Sequence, residues 1–216
     1  MRIVCFADTH GGHMALDIPE CDVLIFAGDY SRYGKEGETE EFAAWMERQP
    51  AEHKLVIAGN HDEALEKNPV PHEAILKKHG LTYLRDSGVR IDGLLFYGSP
   101  WQPEFNNWAF NLPRKSMELH DKWDAIPSDT DILITHGPPH GYGDKNIDGE
   151  HCGCELLLEA LDRVKPKYHI FGHIHEGRGT YNRGPSSLIN GTVLDENYNL
   201  KYQPVVMEYK FGKDKR

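Results

Sequence analysis

The sequence predicts an α/β fold in which two sheets form a sandwich flanked by helices, and three observations carry the prediction. Five short apolar runs each lead into Asp, His or Asn. Helical patterns of apolar residues separate them at residues 38–49 and 154–164. Shorter runs bounded by Asp, Gly and Ser turns in mid-chain supply strands for a second sheet. The 216 residues are enough for one large domain with a sizeable core, so residues 1–216 read as a single unit.

Taken in order, residues 2–7 form the first strand. Asp8 and His10 follow two apart, a spacing that in extended chain points both side chains the same way. Residues 22–27 form the second strand and deliver Gly28-Asp29, a natural bridging carboxylate because each oxygen can take one cation. A polar loop at 30–37 lies beside the site. Phe42, Ala43, Trp45 and Met46 fall at helical spacing in 38–49, with Thr39 as the start signal and Trp45 and Met46 as core. Residues 54–58 lead to Gly59-Asn60-His61-Asp62, where Asp62 is expected to cap the next helix. Residues 71–79 read as a helix. The strands at 81–84, 89–91 and 94–97 are assigned together to the second half of the sandwich. Residues 116–123 form a helix, 131–135 a strand delivering His136, and 154–164 a covering helix. Residues 168–171 deliver Gly172-His173-Ile174-His175. Strands at 187–194 and 203–209 close the sheets, and Lys213 to Arg216 form a frayed tail.

The chemistry lies in where these strands end. Asp oxygen and His nitrogen suit first-row divalent cations, and ligands in open α/β sheets gather beyond the carboxyl ends of strands. Asp8, His10, Asp29, Asn60, His136, His173 and His175 are the candidates. Seven exceed the three protein ligands of one open tetrahedral ion and suit two ions sharing a carboxylate. The glycines at 28, 59 and 172 stand where a strand turns sharply and its backbone approaches an ion or phosphate.

The series Asp8-Thr9-His10, Gly28-Asp29, Gly59-Asn60-His61-Asp62, Thr135-His136-Gly137 and Gly172-His173-Ile174-His175 resembles the calcineurin-like metallophosphoesterase superfamily in order and spacing. Within it, Gly98-Ser99-Pro100-Trp101-Gln102-Pro103 and the runs 108–114, 135–139 and 171–177 resemble the metallophosphoesterase-domain-containing group, relatives of class III cyclic nucleotide phosphodiesterases. The resemblance implies an αββα metallophosphoesterase sandwich. It implies that Asp8, His10, Asp29 and His175 hold one divalent ion and Asp29, Asn60, His136 and His173 the other. Manganese comes first, with iron, nickel, cobalt or zinc accepted by the same donors. It also implies that a hydroxide bridging the ions attacks phosphorus while His61 protonates the leaving oxygen, a task suited to imidazole. The expected function is hydrolysis of small phosphodiesters, cyclic nucleotides first. The alternatives are a phosphomonoesterase and a nucleotide-binding regulatory protein with incidental turnover. Protein Ser/Thr phosphatases follow Gly-Asp with an Asp and Arg pair that Ser31-Arg32-Tyr33 does not reproduce, which argues against that activity and leaves open what orients His61.

Substrate contacts are less marked. Arg32 reads either as a phosphate contact or as a solvated surface group. Trp101, Phe105, Trp108 and Phe110, interleaved with Asn106, Asn107 and Asn111, read either as a nucleobase platform or as the apolar ballast of a long loop, and the resemblance favours the former for Asn106 and Trp108. His140, Tyr142 and Lys145 lie on a glycine-containing loop over the site, with His140 the named candidate. The remaining histidines, among them His151 and His169, have no comparable setting.

A net charge of −10 argues against an extended nucleic-acid footprint, which needs Lys and Arg to replace counterions. Two dications, two carboxylates and a bridging hydroxide still leave the centre at about +1, so small phosphates remain attracted. No apolar run approaches the roughly 18 residues of a membrane span, and Asp8 interrupts any signal-peptide core, so a cytoplasmic location is expected. Cys5, Cys21, Cys152 and Cys154 lack zinc-motif spacing and read as structural thiols.

Overall fold

Alternation of side chains along each strand builds the molecule outward from a central double layer. The computed structural model describes residues 1–35 and 37–211, so the expected tail from Lys213 to Arg216 lies outside the described residues. The early strands are β1 (Arg2–Phe6), β2 (Cys21–Ala27), β3 (Ala51–Ile57), β4 (Thr82–Tyr83), β5 (Ser87–Ile91) and β6 (Leu94–Ser99). There follow β7 (Gln102–Pro103), β8 (Asn111–Leu112), β9 (Ile132–Thr135), β10 (Tyr168–Phe171), β11 (Gly179–Arg183), β12 (Ser186–Asn190) and β13 (Val205–Glu208). The helices are α1 (Glu38–Glu47), α2 (Glu63–Lys67), α3 (Pro69–Lys78), α4 (Met117–Asp124) and α5 (Glu155–Val164).

One sheet runs β13-β1-β2-β3-β4 and the other β11-β12-β10-β9-β6-β5, with β7 and β8 forming a small separate pair. Strands β1 to β4 are mutually parallel, as are β6, β9, β10 and β12. Between the sheets, Ile3, Cys5, Val23, Ile25, Leu55 and Ile57 meet Phe96, Ile132, Ile134, Ile170 and Ile189. The alternate residues Val4, Phe6, Leu24, Phe26 and Val56 turn outward beneath Phe42, Trp45 and Met46 of α1 and Leu76 of α3. On the far side, Leu133, Phe171 and Leu188 pack under Leu119 and Trp123 of α4 and Leu157 and Leu161 of α5. Each such buried side chain contributes roughly 1.5–3 kcal/mol. The result is the expected α/β architecture, two sheets between helical layers.

Two expectations are corrected. The strand at 81–84 belongs to the first sheet, because β4 pairs with β3 through Leu55–Thr82 and Val56–Tyr83 and only the chain from Ser87 crosses to the second. A helix returning to the edge of its own parallel sheet is the short, unknotted connection. Thr39 does not start α1: Gly37, with φ 99°, holds the cap position. The buried Thr39 hydroxyl instead bonds the Tyr30 hydroxyl and His72 Nδ1, both at 2.9 Å. Strand β11 and the β7–β8 pair were not foreseen, since their polar residues show no alternation.

All four cysteines are free, and Cys154 Sγ accepts the Leu157 N–H at the start of α5, in keeping with structural thiols. Among the described residues no helix is long and apolar enough to cross a membrane.

Candidate metal centre

The carboxyl ends of β1, β2, β3, β9 and β10 point to one edge of the sandwich, and the seven predicted side chains meet there. Their donor atoms fall into two groups, each within 4.8 Å: Asp8, His10 and His175, and Asp29, His136 and His173. Asp29 links them, with Oδ2 3.7 Å from His10 Nε2 and 3.3 Å from His136 Nε2. Asn60 Oδ1 stands 3.0 Å from the same His136 nitrogen. The first group therefore reproduces three of the four residues expected around one ion and the second three of the four around the other, with Asp29 and Asn60 completing the sets.

The backbone bends to make this possible. Asp8, His10, Asp29 and His173 all have positive φ, between 41° and 69°, in the left-handed region that costs non-glycine residues of order 1 kcal/mol or more each. Strain of this kind, on four of seven residues, marks a site whose geometry is imposed. Space is reserved as well: a Cβ on Gly59 would strike the Asp29 carboxylate and one on Gly172 the Asp8 carboxylate. Neither has positive φ, so close approach, rather than the turn expected from sequence, is what requires glycine there.

The charges are closely balanced. Burial works to raise the Asp29 carboxyl, but the imidazoles of His136 and His10 more than offset it and hold Asp29 well below the usual carboxylate range. Burial likewise opposes charge on His136, yet the Asp29 carboxylate and the Ala27 carbonyl 2.9 Å from Nδ1 lift the ring to about 9. His10 is lowered to about 4 by burial. A buried set of carboxylate oxygens, imidazoles and one amide oxygen is the donor chemistry of hard-to-borderline dications, so these residues fit a metal pair.

His61 sits at the edge of this group with its Nδ1 3.0 Å from the Arg32 carbonyl oxygen, a backbone acceptor that orients the ring, while its backbone N–H donates to Asp29 Oδ1 at 2.8 Å. With Nδ1–H donated there, Nε2 is the nitrogen left for chemistry. Its ring packs edge-on against His10 at 4.4 Å and lies 4.0 Å from Trp108. Asp62 is corrected. It occupies the N-cap position of α2, but its side chain makes no cap bond. Its Oδ2 accepts from the Asp29 and Gly59 N–H groups, and its Oδ1 from Ser31, at 2.8–2.9 Å. Three backbone donors from two site loops outbid the solvent-facing helix end for one fully buried carboxylate.

A cavity of about 290 Å³ opens over the centre, lined by His61, Phe105, Arg114, His151 and Tyr198 besides the ligand candidates. Of the predicted substrate contacts, the structure brings none into its wall. The exposed Arg32 side chain lines a neighbouring groove with His10 and Tyr198 and contributes its carbonyl to His61. Asn106 is exposed at a turn with φ 49°. Trp108 packs against His61, with the rings tilted by 34°, and does not line the cavity. His140 stands by Asp144 and His151. The aromatic loop is thereby divided: Phe110 is fully buried, Trp101 bonds Asp86 through Nε1 at 2.8 Å, and Phe105 alone of the four faces the cavity, its ring edge-on to His173 at 5.9 Å. Tyr198, packed on His10 and His175 at 5.2 and 4.8 Å, was missed, since an Asn-rich turn near the chain's end carries no signal for it.

A match to the calcineurin-like phosphoesterase family spans residues 1–177, and the human metallophosphoesterase domain-containing protein 1 is 40% identical over 96% of this chain. The chain belongs to the calcineurin-like phosphoesterases. A Caenorhabditis elegans relative, UPF0046 protein T07D4.2, is 38% identical over 96% of the chain. The chain spans 60% of that relative's length and 70% of the human one's. A solved structure described as a novel archaeal phosphodiesterase shares the fold, with a TM-score of 0.51 and 19% identity over 96% of this chain and 100% of that one. Calcineurin-like phosphoesterases use a dinuclear divalent centre for metal-dependent phosphoester hydrolysis, the chemistry to which the two donor groups linked by Asp29 correspond.

Proposed function

We propose that this calcineurin-like phosphoesterase, acting as one domain across residues 1–216, hydrolyses small phosphodiesters of the cyclic-nucleotide type in the cytoplasm. The observation that carries the reading is the pair of donor groups, linked by Asp29 through its contacts to His10 and His136, beside one small cavity. Asp8, His10, Asp29 and His175 would hold one ion, and Asp29, Asn60, His136 and His173 the other, with manganese the first metal to try. Bound there, two dications supply an acidified water and the positive charge that a phosphoryl group in transfer requires.

The chain's own groups do the rest. His61, held through Nδ1 by the Arg32 carbonyl, keeps Nε2 for a proton delivered to the leaving oxygen. Asp62 holds the loops of Asp29 and Asn60 in register. Phe105 offers an apolar face at the cavity mouth and Tyr198 covers the His10 side. At about 290 Å³ the cavity lies at the small end of ligand sites, which favours a mononucleotide-sized substrate over a polymer or protein.

The lining favours a diester over a monoester. Arg114 is the one Lys or Arg in it among the described residues, and that guanidinium is already committed to Glu155 and the carbonyls of Cys152 and Gly153. Glu104 and Glu150 add negative charge. A monoester dianion thus meets no free cation beyond the metals, whereas a diester brings one charge fewer. The manganese-loaded protein should cleave bis(p-nitrophenyl) phosphate at least tenfold better in kcat/KM than the monoester. The reverse ratio would overturn the diesterase reading, and tight nucleotide binding with no turnover of either compound would replace it with a regulatory role.

A further inference from the structure

One more group among the described residues sets three metal-ligand atoms within 4.8 Å of one another, away from the strand ends: His140, Asp144 and His151, all in the segment between β9 and α5. Its carboxylate is the fixed part. Asp144 has 1% of its side chain exposed, and Oδ2 accepts the Gly141 and Gly153 N–H groups at 2.8 and 3.2 Å. Oδ1 lies 2.8 Å from His151 Nδ1.

Loop hydrogen bonding accounts for that much and leaves His140 unexplained. Its Nδ1 is a buried atom with no hydrogen-bond partner, 3.7 Å from Asp144 Oδ2 and so beyond hydrogen-bonding reach. Buried polar atoms without partners are rare enough in folded proteins to ask for one. Two ligand atoms bound about 2.0–2.1 Å from a tetrahedral zinc stand about 3.3 Å apart, and the two imidazoles flank the two oxygens of one carboxylate on either side of that value, His140 Nδ1 at 3.7 Å from Oδ2 and His151 Nδ1 at 2.8 Å from Oδ1. The segment's glycines at 141, 143 and 149 have positive φ.

We propose that His140 Nδ1, Asp144 and His151 Nδ1 form a further divalent-metal site, suited to zinc by its two nitrogens and one carboxylate, with water in the fourth position. The site lies in the wall of the main cavity, since Asn146, Glu150, His151 and Cys152 line it. An ion there ties both ends of that wall to one buried carboxylate and makes the shape of the cavity mouth depend on occupancy.

The test is zinc content of the whole chain after removal of free metal, together with anomalous scattering at the zinc edge. Wild type should carry three equivalents, the His140→Ala/His151→Ala double variant two, and Asp29→Asn should keep the equivalent held by this segment. His151→Asn retains a donor to Asp144 and serves if the double variant does not fold; it should also carry two. An anomalous peak touching His140, Asp144 and His151 is expected. Equal zinc in wild type and both histidine variants, or no peak beside His140 while the strand-end pair is filled, overturns the site. Zinc that His140 and His151 variants lose, in a protein whose strand-end cluster takes none, would uphold this site and defeat the functional reading above.

Discussion

At the scale of single residues, His61 shows how roles divide within a few ångströms. It lies within ligand reach of His10 and Asp29, yet its Nδ1 is spoken for by a carbonyl and its ring is clamped between His10 and Trp108. His61→Ala should therefore leave metal content unchanged and lower kcat by about 10²–10⁴, with the largest loss on esters of poor leaving groups. Elemental analysis beside a leaving-group series checks this, and loss of the metals in the variant would reassign His61 as a ligand. The residue types and order at the strand ends made all seven ligand candidates legible in the sequence. The substrate contacts were not, because a side chain's direction out of a loop depends on which neighbour it packs against. Trp108 found His61 and Trp101 found Asp86, and no spacing rule encodes either choice.

At the scale of elements, the strands that end in the site were legible to within a few residues, because a buried parallel strand must be apolar along its length and the change to Asp, Asn or His is abrupt. What escaped was pairing. The strand at residues 82–83 has the look of its neighbours at 87–99, and only the return path of α3 places it beside β3. The loops between elements hide their strongest tie for the same reason. Asp62 looks like a helix cap locally, while two of its three backbone partners are 31 and 33 residues away. Burial, and next the charge of Asp29, push its carboxyl up, and its three backbone donors oppose them. Asp62→Ala leaves three buried N–H groups without an acceptor, at roughly 1–3 kcal/mol each. A drop of at least 3 kcal/mol in denaturant-derived stability is expected; a change under 1 kcal/mol would mean that the loops hold themselves.

For the molecule as a whole, burial makes stability depend on acid in a way that composition did not reveal. His169, passed over in the sequence as ordinary, is fully buried in β10, where burial lowers its ring from 6.5 to about 3. Below pH 6.5 the unfolded chain binds a proton that the folded ring refuses, so this group removes stability as pH falls from 6.5 towards 3, by about 1.4 kcal/mol per unit. His169→Gln should flatten the decline between pH 6 and 4 in urea titrations; parallel curves would show that other groups set it.

The join between the sheets has a mechanical meaning. Ala7 bridges to Thr192 at the same edge where Asp8, His10, Asn60 and Asp29 arrive from one sheet and His136, His173 and His175 from the other. Ions held there would act as rivets through a seam, and chelation should let the sandwich gape from that rim first. Amide exchange on removing metal should quicken at Ala7 and Gly191 well before it changes at Leu24 or Leu133, deep within their layers.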